Sequence, residues 1–293
     1  MKILITGSNG QLGNELRELS AFYPQYHFLY TDVDELDITN HSAVEQYLEA
    51  NRPEVIINCA AYTAVDKAEN DEHNAYLINA TAPGILARVA AKYNTLLVHI
   101  STDYVFDGKS YAPLAETAET NPVSVYARSK FAGEQEILKL ASKAIIIRTS
   151  WLYSAFGNNF VKTILKYGTE RGKLNIVYDQ TGTPTYAYDL AKALLDIVPK
   201  ATDIEGVNLF HYSNEGVSSW YDFAKAIVEI TGINCQLSAI ETKDYPLPAV
   251  RPFYSVLNKQ KIKNTFNPQI PYWRDSLKHC LKRLGYQNNF VST

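Results

Sequence analysis

Residues 2–13 read KILITGSNGQLG: a short apolar, β-rich run from Lys2 to Thr6, then Gly7, Gly10 and Gly13, then the apolar positions of a helix. A strand that turns through small residues into a helix opens a dinucleotide-binding fold, because glycines let backbone amides and the helix N-terminus approach a pyrophosphate. Three glycines in seven residues also suit a plain tight turn, but their place between strand and helix favours the phosphate cradle. The spacing is GxxGxxG rather than GxGxxG, and the cradle reading assigns cofactor contacts to Gly7, Gly10, Gln11, Leu12 and Gly13.

Working outward, the next strand, about 26–31, ends at Asp32, near the interval at which an acid meets the adenosine ribose. A carboxylate there accepts from ribose hydroxyls and repels a 2′-phosphate, and the neighbouring Val33 supplies no guanidinium to hold one, so NADH is favoured over NADPH. Asp37 and Ile38, with Leu36, are expected beside the adenine. A third apolar strand, EVIINC at 54–59, closes with Ala60, Ala61 and Tyr62, small residues first, which leaves room for a cofactor at a strand end. A long amphipathic helix, about 74–93, leads to the strand 96–100, whose carboxyl end presents Ser101, Thr102, Asp103 and Tyr104. Ligands of open parallel sheets lie outside such ends.

Asn121-Pro122 then opens a helix carrying Tyr126 and Lys130, one turn apart on one face. An ammonium beside a phenol favours the phenolate, so this tyrosine is expected to exchange protons nearer neutrality than its usual pKa of about 10. With the Thr102 hydroxyl on the same substrate oxygen, the set Thr102, Tyr126 and Lys130 suits carbonyl chemistry. The pairs Tyr188/Lys192 and Tyr221/Lys225 share the spacing but follow no Ser/Thr cluster, so they read as neighbours on a helix face.

After a buried strand at 144–149, strict alternation of strand and helix loosens. The predicted architecture is α/β: a Rossmann-type doubly wound parallel sheet, residues 1–150 plus about 185–212, with a smaller, discontinuous α/β substrate-binding lobe, about 151–184 plus 213–293. Apolar residues at 46% of 293 positions can fill both lobes, and a net charge of −3 without a basic run argues against nucleic acid or a membrane surface as partner. Cys59, Cys235 and Cys280 form no CxxC pair, no run of eighteen apolar residues occurs, and no histidine has metal-ligand spacing. These features fit a cytoplasmic protein whose histidines have core or surface roles.

Taken together, the residues resemble the extended short-chain dehydrogenase/reductase superfamily, and within it the dTDP-4-dehydrorhamnose reductases. The marks are GSNGQLG at 7–13, NCAAYTAVDKAE at 58–69, STDYVFDG at 101–108, YARSK at 126–130, RTSWLY at 148–153, GNNFVKT at 157–163, GTPTYA at 182–187 and RPFYS at 251–255. The resemblance implies Thr102, Tyr126 and Lys130 as catalytic set, with Lys130 also holding the nicotinamide ribose. It implies a nucleotide-sugar substrate, dTDP-4-dehydro-6-deoxy-L-mannose, and a homodimer. Thr102, Asp103, Tyr104 and Trp151 are then expected around the sugar and Arg251 on its diphosphate. Some relatives hold a divalent metal between subunits through carboxylates; Glu15 resembles one of these, but Tyr188 stands where another acid is usual, so no metal is assigned. Dehydratases of the superfamily usually place an Asp-Glu pair after the threonine, whereas Tyr104 follows Asp103 here, which favours net reduction over a dehydratase or epimerase. A non-catalytic cofactor-binding subunit, like the β subunit of methionine adenosyltransferase, is the remaining alternative, and the intact catalytic set argues against it.

Overall fold

The computed structural model describes residues 1–202 and 204–286; the last seven positions of the expected second lobe, 287–293, lie outside them. Its main sheet has six strands, β1 (Lys2–Thr6), β2 (His27–Thr31), β3 (Val55–Asn58), β4 (Leu96–Thr102), β5 (Lys143–Thr149) and β6 (Gly206–His211), in the order β6-β5-β4-β3-β1-β2. All neighbours run parallel. Parallel sheets are covered on both faces, and every residue of VIIN in β3 is accordingly buried. Alternate side chains divide between the faces. Ile3, Ile5, Val55, Ile57, Ile145 and Ile147 share one core with α1 (Gln11–Leu19) and α6 (Ala187–Ala201). Leu4, Ile56, Leu97 and Ile146 share the other with α2 (His41–Asn51), α3 (Ala82–Lys92) and α4 (Val125–Leu140).

A third core gathers Tyr153, Ile164, Tyr186, Phe223, Trp273 and Leu277, joining α5 (Phe160–Arg171), α7 (Trp220–Thr231) and α8 (Trp273–Arg283). Beside it, Lys173–Val177 pairs in parallel with Gln236–Ile240. The late helix Gln260–Phe266 sends Ile262 and Phe266 back into the first core next to Phe210, because that edge of the sheet needs a cover. Among the described residues no helix is long and apolar enough to cross a membrane.

Two expected helices differ in detail. The long helix about 74–93 is interrupted: Glu72–Tyr76 and α3 are joined by a widened π turn, Leu77–Thr81, with Pro83 at the start of α3. Pro83 has no N–H to continue the i to i−4 ladder, and the extra residue of the π turn re-aims Asn79 inward. The helix bearing Tyr126 begins at Val125, not at Asn121-Pro122, since Ser124 caps it by accepting the Ala127 N–H at 3.2 Å.

The π turn and α4 meet through Gly133, where an added Cβ would stand 2.0 Å from the Asn79 carbonyl oxygen. Gly133→Ala is therefore expected to lower stability by about 3 kcal/mol; a denaturant melt within 0.5 kcal/mol of wild type (roughly the scatter of neutral substitutions) would contradict this contact.

Candidate active site

The chain leaves β1 through Gly7, whose φ of +65° suits glycine, and an added Cβ would lie 2.6 Å from the Ala60 amide nitrogen. Gly13 is as confined: its Cβ would meet Ser8 at 2.5 Å. Gly10 is different. Its φ of −74° is open to any residue, and an added Cβ would touch only the Gly7 carbonyl, at 3.3 Å. Protein packing does not demand glycine there, whereas an anion seated on the loop would. Helix α1 starts at that point with no side-chain cap and no acid in its first turn, so its N–H groups face outward unpaired by side chains. These residues fit a dinucleotide pyrophosphate.

Around the cradle, Asp32 accepts the Asn9 N–H and the Val33 N–H, each at 2.9 Å, and so clasps the glycine loop to the end of β2. Sequence reading overlooked Arg17, whose guanidinium sits 3.0 Å from Ser8 Oγ and 4.3 Å over the Tyr30 ring, a cation near the loop despite the absence of one beside Asp32. Asp37 accepts from Thr39 in a tight turn, while Leu36 and Ile38 are buried in the second core, which leaves Asp37 as the solvent-facing member of that trio. The Ala60-Ala61-Tyr62 segment is stapled by Asn79, which accepts the Tyr62 N–H at 2.9 Å and donates to the Tyr62 carbonyl at 3.0 Å.

At the end of β4, Thr102 accepts the Tyr104 N–H at 3.2 Å and its hydroxyl reaches the Asp103 carboxyl at 3.2 Å. The Thr102 hydroxyl lies close enough to Tyr126 to act on its phenol, and the Tyr104 ring meets Tyr126 edge-on at 5.7 Å. Lys130 lies one turn below, buried, donating to the Ile100 carbonyl at 2.7 Å and lying 3.2 Å from His99 Nε2. The three expected residues therefore converge. The rival lysines are occupied elsewhere, Lys192 by Asp196 at 2.8 Å and Lys225 by Glu229 at 3.9 Å.

The electrostatics reverse one expectation. Burial pushes the Tyr126 phenol up to about 12, partly offset by the nearby Thr102 hydroxyl, so it is raised rather than drawn toward neutrality. Lys130 does not act on it as a nearby ammonium; burial brings the lysine itself down to about 8. Asp103 is buried behind Thr102, one carboxyl oxygen lacks a partner, and burial raises its pKa to about 7.

In front of Tyr104 opens a cleft of about 960 Å³ whose walls include Phe160, Tyr167, Trp220, Arg251 and Phe253. Trp151, expected on the sugar, stacks face to face on Trp220 at 3.6 Å and presses on Gly182, where a Cβ would collide with its indole at 2.7 Å. Trp220, which the sequence presents only as the start of a capped helix, is the indole at the cleft. Arg251 lines the cleft too, but its fork closes on Asp66 through bonds of 2.7 and 2.6 Å, so the donors expected to face a diphosphate are already paired. The residues do not fit a metal: Glu15 is bound by Ser154 and Arg283, Tyr188 is a phenol, and among the described residues no three His, Cys, Asp or Glu cluster.

A phosphate cradle at the switch point of a parallel sheet, with Thr102 at the end of β4 and Tyr126 and Lys130 on the helix beside it, defines a nicotinamide-dependent reductase of the short-chain type. The family model described as RmlD substrate binding domain matches residues 1–286. The chain belongs to that family, the dTDP-4-dehydrorhamnose reductases. It is 42% identical over 286 residues to the dTDP-4-dehydrorhamnose reductase of Aggregatibacter actinomycetemcomitans, covering 95% of this chain and 97% of the relative. The crystal structure of a dTDP-4-dehydrorhamnose reductase from Clostridium acetobutylicum superposes with a TM-score of 0.93 at 43% identity, covering 97% of this chain and 100% of that one. That of Bacillus anthracis, a complex with NADP, gives a TM-score of 0.90 at 38% identity, covering 96% and 99%.

Because the Asp103 carboxyl is held protonated in the folded state, its contribution to stability is complete below its unfolded pKa and is lost as pH rises toward 7. Between pH 4.5 and 7.5, wild type is expected to lose on the order of 1–2 kcal/mol relative to Asp103→Asn. Urea midpoints that run parallel for the two proteins would show an ordinary, ionised carboxylate.

Proposed function

We propose that this protein reduces the C4 ketone of dTDP-4-dehydro-6-deoxy-L-mannose with NADH or NADPH to give dTDP-L-rhamnose. The observation that carries the reading is the nearness of the Thr102 hydroxyl at the end of β4 to Tyr126, with Lys130 buried one turn along the same helix, on the sheet end that also carries the glycine cradle. In this reading the nicotinamide nucleotide supplies hydride to the carbonyl carbon. Tyr126, kept as a neutral phenol by burial, gives its proton to the carbonyl oxygen as negative charge grows there. Thr102 turns its hydroxyl from Asp103 to the same oxygen, and Lys130 holds the nicotinamide ribose. Trp220 and Tyr104 offer apolar faces to the sugar and base, with Trp151 bracing Trp220. Residues 1–150 with about 185–212 serve the cofactor, and about 151–184 with 213–293 the substrate; the third core, drawn mainly from the latter segments with Tyr186 from the former, supports that division, while Ile262 and Phe266 cross to the first core.

Purified protein mixed with the keto-sugar should consume NADH stoichiometrically, followed by absorbance; recycling of the cofactor would indicate a dehydratase or epimerase, and tight binding without turnover a regulatory subunit. Tyr126→Phe is expected to lower kcat by on the order of 10² to 10⁴, or about 3–5 kcal/mol of barrier, while substrate affinity changes little. Near-normal turnover in that variant, with loss in Tyr188→Phe, would move the acid elsewhere.

On cofactor choice, the Asp32 carboxylate favours NADH. Asp32→Asn keeps an acceptor for the Asn9 N–H and removes only the charge, so the ratio of kcat/KM for NADPH over NADH should rise by roughly tenfold. An unchanged ratio would take Asp32 out of cofactor selection.

A further inference from the structure

Beneath Lys130 runs a file of buried side chains from three strands: Thr6 on β1, Asn58 on β3 and His99 on β4. The direction of every hydrogen bond in it follows from one backbone amide. The Ala60 N–H points at Asn58 Oδ1 at 3.1 Å, and the Thr6 hydroxyl donates to the same atom at 2.7 Å. An N–H can only donate, so that atom of Asn58 is the oxygen, and the NH₂ faces His99 Nδ1 at 3.0 Å. His99 Nδ1 is therefore an acceptor. Neutral imidazole carries one proton, which must sit on Nε2, and Nε2 faces Lys130 Nζ at 3.2 Å. An ammonium would set N–H against N–H at that distance; an amine accepts with its lone pair while still donating to the Ile100 carbonyl at 2.7 Å.

We propose that His99 is a positioning residue: through the tautomer imposed by Asn58 it favours the neutral amine of Lys130 in the cofactor-free protein, so that at mildly alkaline pH binding a nicotinamide nucleotide takes up a proton at Lys130. The proton comes from solvent and converts the amine to an ammonium. Once formed, the ammonium finds no acceptor at His99, and apart from the hydrogen on Ile100 its N–H groups turn to the ribose hydroxyls. His99 thus directs the lysine by declining a hydrogen bond. The inference rests on the reading of Lys130 as the ribose-holding residue.

The groups around the amine agree with this. Burial lowers Lys130 to about 8, and burial followed by Lys130 lowers His99, which therefore stays uncharged. On α4, Glu134 acts to raise the lysine, but its carboxylate is matched by Arg148 of β5 through bonds of 2.9 and 2.7 Å. Tyr126 on the same helix is a neutral phenol, and Asp103 at the end of β4 is largely protonated below about 7.

Three measurements test the assignment. In the cofactor-free protein, carbon and nitrogen shifts of His99 should report the Nε2–H tautomer; an Nδ1–H tautomer would overturn it. Calorimetry of NADH binding at pH 8 to 9 in buffers of different ionisation enthalpy should show uptake of roughly half to one proton per chain, and Kd should rise about tenfold per pH unit above the lysine's pKa. Binding without proton uptake would refute it. Asn58→Asp supplies an acceptor to Nδ1–H, turns Nε2 into an acceptor and should abolish most of the uptake; His99→Glu, which offers one carboxylate oxygen to the Asn58 NH₂ and the other to the lysine, should act alike. Uptake unchanged in both would defeat the proposal. A chain that bound neither nucleotide would sink the functional reading instead, and the tautomer would still judge this one.

Discussion

A single buried carboxylate ties the reactive helix to the sheet. Glu134 on α4 receives both arms of Arg148 from β5 and the hydroxyl of Ser101 from β4, so three elements meet on two oxygens. Positions 126, 130 and 134 lie on one face of α4, one turn apart, so this anchor sets the height and rotation of Tyr126 and Lys130 relative to the strand ends. The pair is almost fully buried, at 4% and 2% exposure. Removing one partner of such a pair leaves an unpaired charge at a cost of about 3–5 kcal/mol, so the geometry of the site and the stability of the lobe rest on the same contact.

Burial then decides which groups near the substrate carry charge. Tyr126 remains a phenol, Asp103 is protonated below about 7, His99 is uncharged and Lys130 titrates near 8. A general acid must hold its proton until the transition state asks for it, and a phenol raised to about 12 does so at any physiological pH. In the proposed reading the phenol's driving force is weak in the ground state, and a hydrogen bond from Thr102 to the carbonyl oxygen in a dry environment is what would bring the transfer within reach.

Across the cleft, the wall is built from stacked rings rather than charges. Phe160, Trp220 and Trp151 form a continuous aromatic layer, and Trp151 holds φ at +47° to complete it, a conformation a bulky side chain rarely adopts without surrounding constraint. The two halves are joined where Arg251 from the late chain grips Asp66 just after β3. Hence the cleft between Tyr104 and Trp220 is apolar on one side and, at Arg251 and Asp66, electrically balanced on the other.

The sequence by itself determined the parallel sheet and the glycine turn, and it singled out Thr102, Tyr126 and Lys130 by their spacing and position. These depend on periodicities and spacings local to a strand or a helix turn, which short stretches such as KILITGSNGQLG carry complete. Only the tertiary structure decided who faces whom. Trp220, with Trp151 stacked on it, lines the cleft, and Arg251 closes on an acid 185 positions away. The direction of the phenol's shift was likewise set by burial, a property of the whole packed site. His99 read as an ordinary core histidine, because its partners Asn58 and Lys130 arrive from another strand and a helix, 41 and 31 positions distant, and no local pattern records that meeting.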